Sequence, residues 1–223
     1  MRRVLIYGLS ANPPTGFEGH LGIIRHFQQR KSFDEIWILP VYRHMYREKS
    51  NLATLQHRVE MCQLAVAAIP QISGMQVRVL ETERQVYEKM NGDTEAAAES
   101  IRDVGTIDVI HHLREQHPLT RFSLLLGTDA FADLVAGKWK NGEEILQSTG
   151  TIDIIVVQRP NSRHMLDQAV SNGSIEFISV PGLQAISSTM ARSCRDFQEL
   201  CKYVDRAVAE YIVKNSLYGF ASD

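Results

Sequence analysis

Short apolar runs alternate along the chain with stretches in which apolar residues recur every three or four positions. The runs at residues 4–7, 35–39, 75–80, 122–126, 152–157 and 175–178 predict strands. Several are apolar nearly throughout, as expected for parallel strands covered on both faces. The stretches between them read as helices. Residues 21–29 align Leu21, Ile24 and Phe27, and residues 54–68 align Leu55, Val59, Cys62 and Val66. Residues 107–116 align Ile107, Ile110 and Leu113, and residues 203–215 align Val204, Val208, Tyr211 and Ile212. This alternation predicts an α/β fold: a doubly wound, mostly parallel sheet with helices on both faces and right-handed crossovers. Residues 84–103 are less regular. Asn91-Gly92-Asp93 precedes an Ala/Glu-rich stretch, which predicts a loop followed by a short exposed helix. Nothing reads as a linker, so residues 1–223 are expected to form a single domain.

The 223 residues are 44% hydrophobic and 22% charged, which excludes a disordered or fibrous chain. A net charge of −2 gives no basic excess for nucleic acid or an anionic membrane. A local Arg or Lys cluster could still meet an anionic small molecule. The longest early apolar run, residues 4–7, is too short for a signal peptide, and no stretch is long enough to span a membrane. Cys62, Cys194 and Cys201 are odd in number and form no CxxC, so neither a disulfide framework nor a thiolate zinc site is suggested. A cytoplasmic protein with buried thiols is expected.

The first strand runs into Gly8-Leu9-Ser10-Ala11-Asn12-Pro13-Pro14-Thr15-Gly16-Phe17-Glu18-Gly19-His20, with a helix expected from about His20 or Leu21. Glycines, prolines and an Asn shape a tight loop. Orphan N–H groups at the helix start would make it an anion site. An ordinary β–α turn remains open at this point. There is no GxGxxG and no P-loop sequence. Near the other end lies Ile186-Ser187-Ser188-Thr189-Met190-Ala191-Arg192. Ser188 or Thr189 would cap a helix there, and Arg192 could fork onto phosphate oxygens.

Together these segments resemble the nucleotidylyltransferase superfamily. The first is similar to its G-x-F-x-P-x-[HT]-x-G-H motif, and the second matches I-S-S-T-x-x-R without a gap. The segments Asp34-Glu35-Ile36-Trp37-Ile38-Leu39-Pro40, His57-Arg58-Val59-Glu60-Met61 and Thr106-Ile107-Asp108 follow in family order. So do Leu126-Gly127-Thr128-Asp129, Trp139 and Val157-Gln158-Arg159-Pro160. The resemblance spans essentially the whole chain and points to the nicotinate/nicotinamide mononucleotide adenylyltransferases, with their Rossmann-like fold. The chain departs from the pattern at Leu9, Ala11 and Gly105, and two extra residues separate Thr15 from Gly19-His20.

The resemblance implies transfer of AMP from ATP to a pyridine mononucleotide, with direct attack by the acceptor phosphate and release of pyrophosphate. It implies His20 and Arg192 as catalytic residues. It implies ATP contacts from these two and from Gly8, Leu9, Ser10, Ala11, Thr15, Gly19, Lys49, Gly127, Asp129, Ile186, Ser188 and Thr189. Mononucleotide contacts would come from Thr106, Trp139 and Arg159, with Tyr42, Tyr46 and Tyr87 as rivals for stacking the ring. Mg²⁺ would ride on ATP rather than in a protein cage, and His111, His112 and His117 lack metal-site spacing. Partners are therefore ATP and the mononucleotide, without nucleic acid or membrane, and a homo-oligomer stays open. Two alternatives remain: a sister enzyme acting on another phosphorylated acceptor, and an ATP/NAD-binding module in which the extra residues misplace His20.

Overall fold

The computed structural model describes residues 1–43, 52–72, 74–92, 101–147, 152–158 and 175–221. Six strands form one parallel sheet in the order β3-β2-β1-β4-β5-β6: β1 (Arg2–Leu9), β2 (Glu35–Pro40), β3 (Gln76–Val79), β4 (Thr120–Gly127), β5 (Asp153–Gln158) and β6 (Ile175–Ser179). All six fall on the apolar runs. Strand order reverses between β1 and β4, paired as Tyr7 with Leu125. In such sheets that crevice, beyond the carboxyl ends of the strands, is where ligands bind.

Successive side chains of β1 enter opposite cores, as strand geometry demands. Leu5 and Tyr7 join α1 (His20–Arg30), α2 (Leu55–Ala67) and α9 (Arg206–Lys214) on one face. Val4 and Ile6 join α3 (Thr82–Asn91), α4 (Thr106–Gln116), α5 (Thr128–Val135) and α6 (Gly142–Gln147) on the other. Burying each large apolar side chain contributes about 1.5–3 kcal/mol. Two short helices, α7 (Ser188–Ser193) and α8 (Phe197–Leu200), precede α9.

The predicted stripes hold for α1 and α4. That of α2 is rotated: Arg58, Met61, Cys62 and Ala65 are buried rather than Leu55, Val59 and Val66. A guanidinium turned inward shifts the face, a choice hydropathy cannot anticipate. Residues 84–91 are also not a loop. They belong to α3, whose Arg84, Glu88 and Lys89 are exposed while Thr82 and Val86 are buried, and Gly92 caps its end at φ 70°. The Ala/Glu-rich residues 93–100 lie outside the described residues. Cys62 and Cys194 are buried, whereas Cys201 is only half-buried, a partial correction to the expectation of buried thiols. No described helix is long and apolar enough to cross a membrane.

Candidate active site

The loop after β1 is buried from Ala11 to Gly16, although Gly8 before it is exposed. Buried backbone polar groups need partners, and here side chains from distant segments supply them. Arg58 Nη1 donates to the Ser10 carbonyl at 3.0 Å, Arg192 Nη1 to the Asn12 carbonyl at 2.7 Å and Ser188 Oγ to the Pro13 carbonyl at 2.8 Å. Asn12 Oδ1 accepts from Ala53 N at 3.0 Å and from the Tyr218 hydroxyl at 2.7 Å. The loop thus carries two guanidiniums, one on each flank of Ala11, which takes a left-handed φ of 52°.

Thr15 and His20 are joined three times. The His20 backbone N–H donates to Thr15 Oγ1 at 2.9 Å, so a threonine five residues upstream satisfies one orphan donor of α1. Thr15 N donates to His20 Nδ1 at 2.9 Å, and Thr15 Oγ1 lies 2.8 Å from the same nitrogen. A backbone N–H can only donate, so Nδ1 accepts and the ring proton sits on Nε2. His20 also packs on Tyr7, with ring centroids 6.0 Å apart.

The extra residues therefore do not pull Thr15 away from His20. They form a turn held by Gly19 N to Gly16 O at 2.9 Å, Gly16 N to Tyr203 O at 2.8 Å and Gln184 N to Glu18 O at 3.0 Å. The turn needs a bare Cα at its end, because a Cβ on Gly19 would collide with Thr15 Oγ1. Gly19→Ala is expected to displace that hydroxyl and lower kcat by roughly ten- to hundred-fold, since small misplacements near the chemistry have such effects. Far-UV circular dichroism should stay unchanged. A variant with full kcat would mean that the Thr15–His20 pair is dispensable.

The second motif lies against the first. Ser187, not Ser188 or Thr189, caps α7, accepting from Met190 N at 3.2 Å. Ser188 is instead spent on Pro13 O, and Thr189 Oγ1 accepts from Arg192 Nη2 at 3.1 Å. Ile186 lies beside Gly19, where an added Cβ would be 3.1 Å from Ile186 Cδ1. Across the switch point, β4 ends at Gly127, which, like Gly8, faces open space where a Cβ would be. Asp129 is exposed in the first turn of α5.

Thr106 opens α4, and Asp108 Oδ2 accepts the Gly105 N–H at 2.7 Å. Lys140 lies over Gly105, with Nζ 2.9 Å from Asp108 Oδ2 and 2.9 Å from Asp103 O. Thr106 and Trp139 are thus neighbours of a contacting pair. Trp139 is half-buried at the edge of the second core, unlike Trp37, which is 1% exposed. Tyr42 and Tyr87 pair edge to face at 5.1 Å beside Arg43. Lys49, Tyr46 and Arg159 lie outside the described residues.

Residues 6–194 match the family described as cytidylyltransferase-like. The chain belongs to the cytidylyltransferase-like family. It is similar to a "Probable nicotinate-nucleotide adenylyltransferase" of Oceanobacillus iheyensis, 27% identical over 221 residues, with 99% of this chain and 98% of that one covered. A protein of Anaeromyxobacter dehalogenans with the same name is 29% identical, with 97% of each covered. The solved structure of "Plasmodium falciparum nicotinic acid mononucleotide adenylyltransferase complexed with NaAD" is similar in fold, with a TM-score of 0.73 at 22% identity over 100% of both chains.

For a cytidylyltransferase-like protein this site offers neutral and cationic hydrogen-bond donors rather than a nucleophile. The buried thiols carry no such activation: desolvation pushes Cys62 up to about 12. Among the described residues no His, Cys, Asp or Glu cluster could hold a metal ion. Sequence reasoning named Asn12 only as a loop-shaping residue and Arg58 and Ser187 only as members of family-like segments, and it gave Tyr218 no part in the site. A fully buried Arg, 1% exposed, reads in sequence like any charged helix residue.

Proposed function

We propose that this chain transfers AMP from ATP to nicotinate mononucleotide, giving the dinucleotide and pyrophosphate, with residues 1–223 acting as one catalytic domain. The observation that carries the reading is the junction of His20 and Arg192 on one buried loop at the switch point. The names of the relatives support the acceptor. The acceptor phosphate is already an anionic nucleophile, so catalysis reduces to positioning and charge stabilisation. His20 would donate Nε2–H to the α-phosphate. Arg192, with Ser188 and Thr189, would face the leaving β/γ-phosphates. Gly8 to Ala11, Thr15, Gly19 and Ile186 would line the phosphate pocket, with Lys49 reaching into it. The open backbone at Gly127 and the Asp129 carboxylate would meet the nucleoside. Thr106, Trp139 and Arg159 would take the mononucleotide. Mg²⁺ would be held by the triphosphate, where it neutralises charge. The free thiols fit a reducing cytoplasm.

The deciding experiment supplies ATP, Mg²⁺ and a panel of phosphorylated acceptors while pyrophosphate is followed. Turnover with nicotinate mononucleotide supports the reading, and turnover only with other acceptors transfers it to a sister reaction. Tight ATP binding without turnover would make the chain a binding module.

Trp139→Ala is expected to raise KM for the mononucleotide several-fold while KM for ATP barely moves. Stacking on Trp contributes about 0.5–1.5 kcal/mol beyond area burial. A large fall in Tm with both KM values intact would reassign Trp139 to packing, leaving Tyr42 or Tyr87 for the ring.

A further inference from the structure

Arg58 donates Nε to Ala53 O at 2.8 Å, and its Nη1 bridges Ser10 O at 3.0 Å and Val41 O at 2.6 Å. Nη2 reaches Tyr42 O at 3.4 Å. One guanidinium thus ties residues 41 and 42, just beyond β2, to the phosphate loop, and it also holds Ala53 ahead of α2. Residues 41–43 are gripped from the other side. The carboxylate of Glu83, on α3, accepts the backbone N–H groups of Tyr42 and Arg43. Val41 N donates to Leu9 O at 3.0 Å, which keeps this strap beside the end of β1.

The strap lies on the β2 side of the phosphate loop, whereas Arg192 approaches from α7. An in-line transfer puts attacking and leaving groups on opposite sides of the α-phosphate. If Arg192 faces the leaving pyrophosphate, the acceptor enters beside the strap. We infer that Arg58 and Glu83 are positioning residues that together hold the strap of residues 41–43 against Ser10 and so set the acceptor side of the site. The inference rests on the function proposed above. Neither side chain touches the reacting atoms; each acts through the backbone it holds.

The two grips differ chemically. Arg58 remains a cation although its desolvation lowers its pKa, and a Lys could not reach carbonyls from three segments at once. Glu83 can switch. Desolvation outweighs its hydrogen bonds and the attraction of Arg58, raising its pKa to about 7. The groups around it are Arg58 from α2, Tyr42 and Arg43 from the strap, and Tyr87 one turn along α3. Above pH 7 the carboxylate accepts both amides. Below it, the protonated acid has lost part of that capacity.

The test compares wild type with Glu83→Gln and Arg58→Lys from pH 6 to pH 8.5. At pH 8, Glu83→Gln should raise KM for nicotinate mononucleotide about ten-fold, the scale of a lost charge-assisted hydrogen bond, and leave KM for ATP within about two-fold. The ratio of variant to wild-type KM should shrink towards one as pH falls through about 7. The acceptor phosphate titrates in both proteins, so the ratio isolates Glu83. Arg58→Lys should raise the same KM at every pH. A ratio independent of pH, or equal changes in both KM values, overturns the inference. Amide hydrogen exchange at Tyr42 and Arg43 tests the grip directly, even if the wild type proves inactive with this acceptor, which would instead sink the proposed function. Faster exchange in Glu83→Gln at pH 8 supports the grip, and unchanged exchange refutes it.

Discussion

His20→Ala lowers kcat by about 10²–10³-fold in our expectation, with ATP affinity nearly unchanged. Removing one preorganised donor from a developing charge has that scale of effect, and an interaction made only in the transition state leaves ground-state binding alone. The structure sharpens the expectation. Nδ1 of His20 accepts from the Thr15 N–H, which puts the ring proton on Nε2. His20→Asn, whose amide can imitate only one ring nitrogen, should recover little. Steady-state kinetics with both substrates, plus direct ATP titration, separate the terms. An intact kcat in His20→Ala would remove His20 from the chemistry.

Arg192→Ala should damage both binding and rate, raising KM for ATP about ten-fold and lowering kcat about 10²-fold. Charge-assisted hydrogen bonds exceed neutral ones by roughly a factor of two. Arg192 has a second task, since its Nη1 holds the Asn12 carbonyl of the loop after β1 at 2.7 Å. Arg192→Lys restores the charge but cannot hold Asn12 O and Thr189 Oγ1 while also meeting a phosphate. It should therefore recover ATP binding only in part and kcat hardly at all. Full activity in Arg192→Ala, or complete rescue by Lys, would mean that the α7 cluster is not an anion site.

Much of the architecture was legible in the amino-acid order. The inner strands β1, β2, β4 and β5 are buried on both faces and read as near-continuous apolar runs, the edge strands β3 and β6 alternate with exposed polar residues, and all six were found within a few residues of their bounds. α1 and α4 were legible for the complementary reason, a narrow apolar stripe with polar flanks. α3 escaped because only Thr82 and Val86 of its ten residues are buried, too few to set a period. The rotated face of α2 escaped because its inward side includes a guanidinium.

By itself the sequence determined the strand–helix alternation, the loop after β1, and the two segments rich in hydroxyls, glycine and Arg on which the family resemblance rests. These are local properties, written in residue type and spacing. Only the tertiary structure decided that β1 and β4 flank the switch point, that Ser188 and Arg192 close on Pro13 and Asn12, and that Arg58 joins Ser10, Val41 and Ala53. It also decided the fate of the extra residues. Spacing along the chain suggested that they part Thr15 from His20, whereas in space the turn folds back and the two remain hydrogen-bonded. The reason is common to all of these. Hydrophobic periodicity reports which face of an element is buried, but the partner of a buried polar group is chosen by whatever lies across the gap. At this site those partners stand up to 206 residues away in the chain.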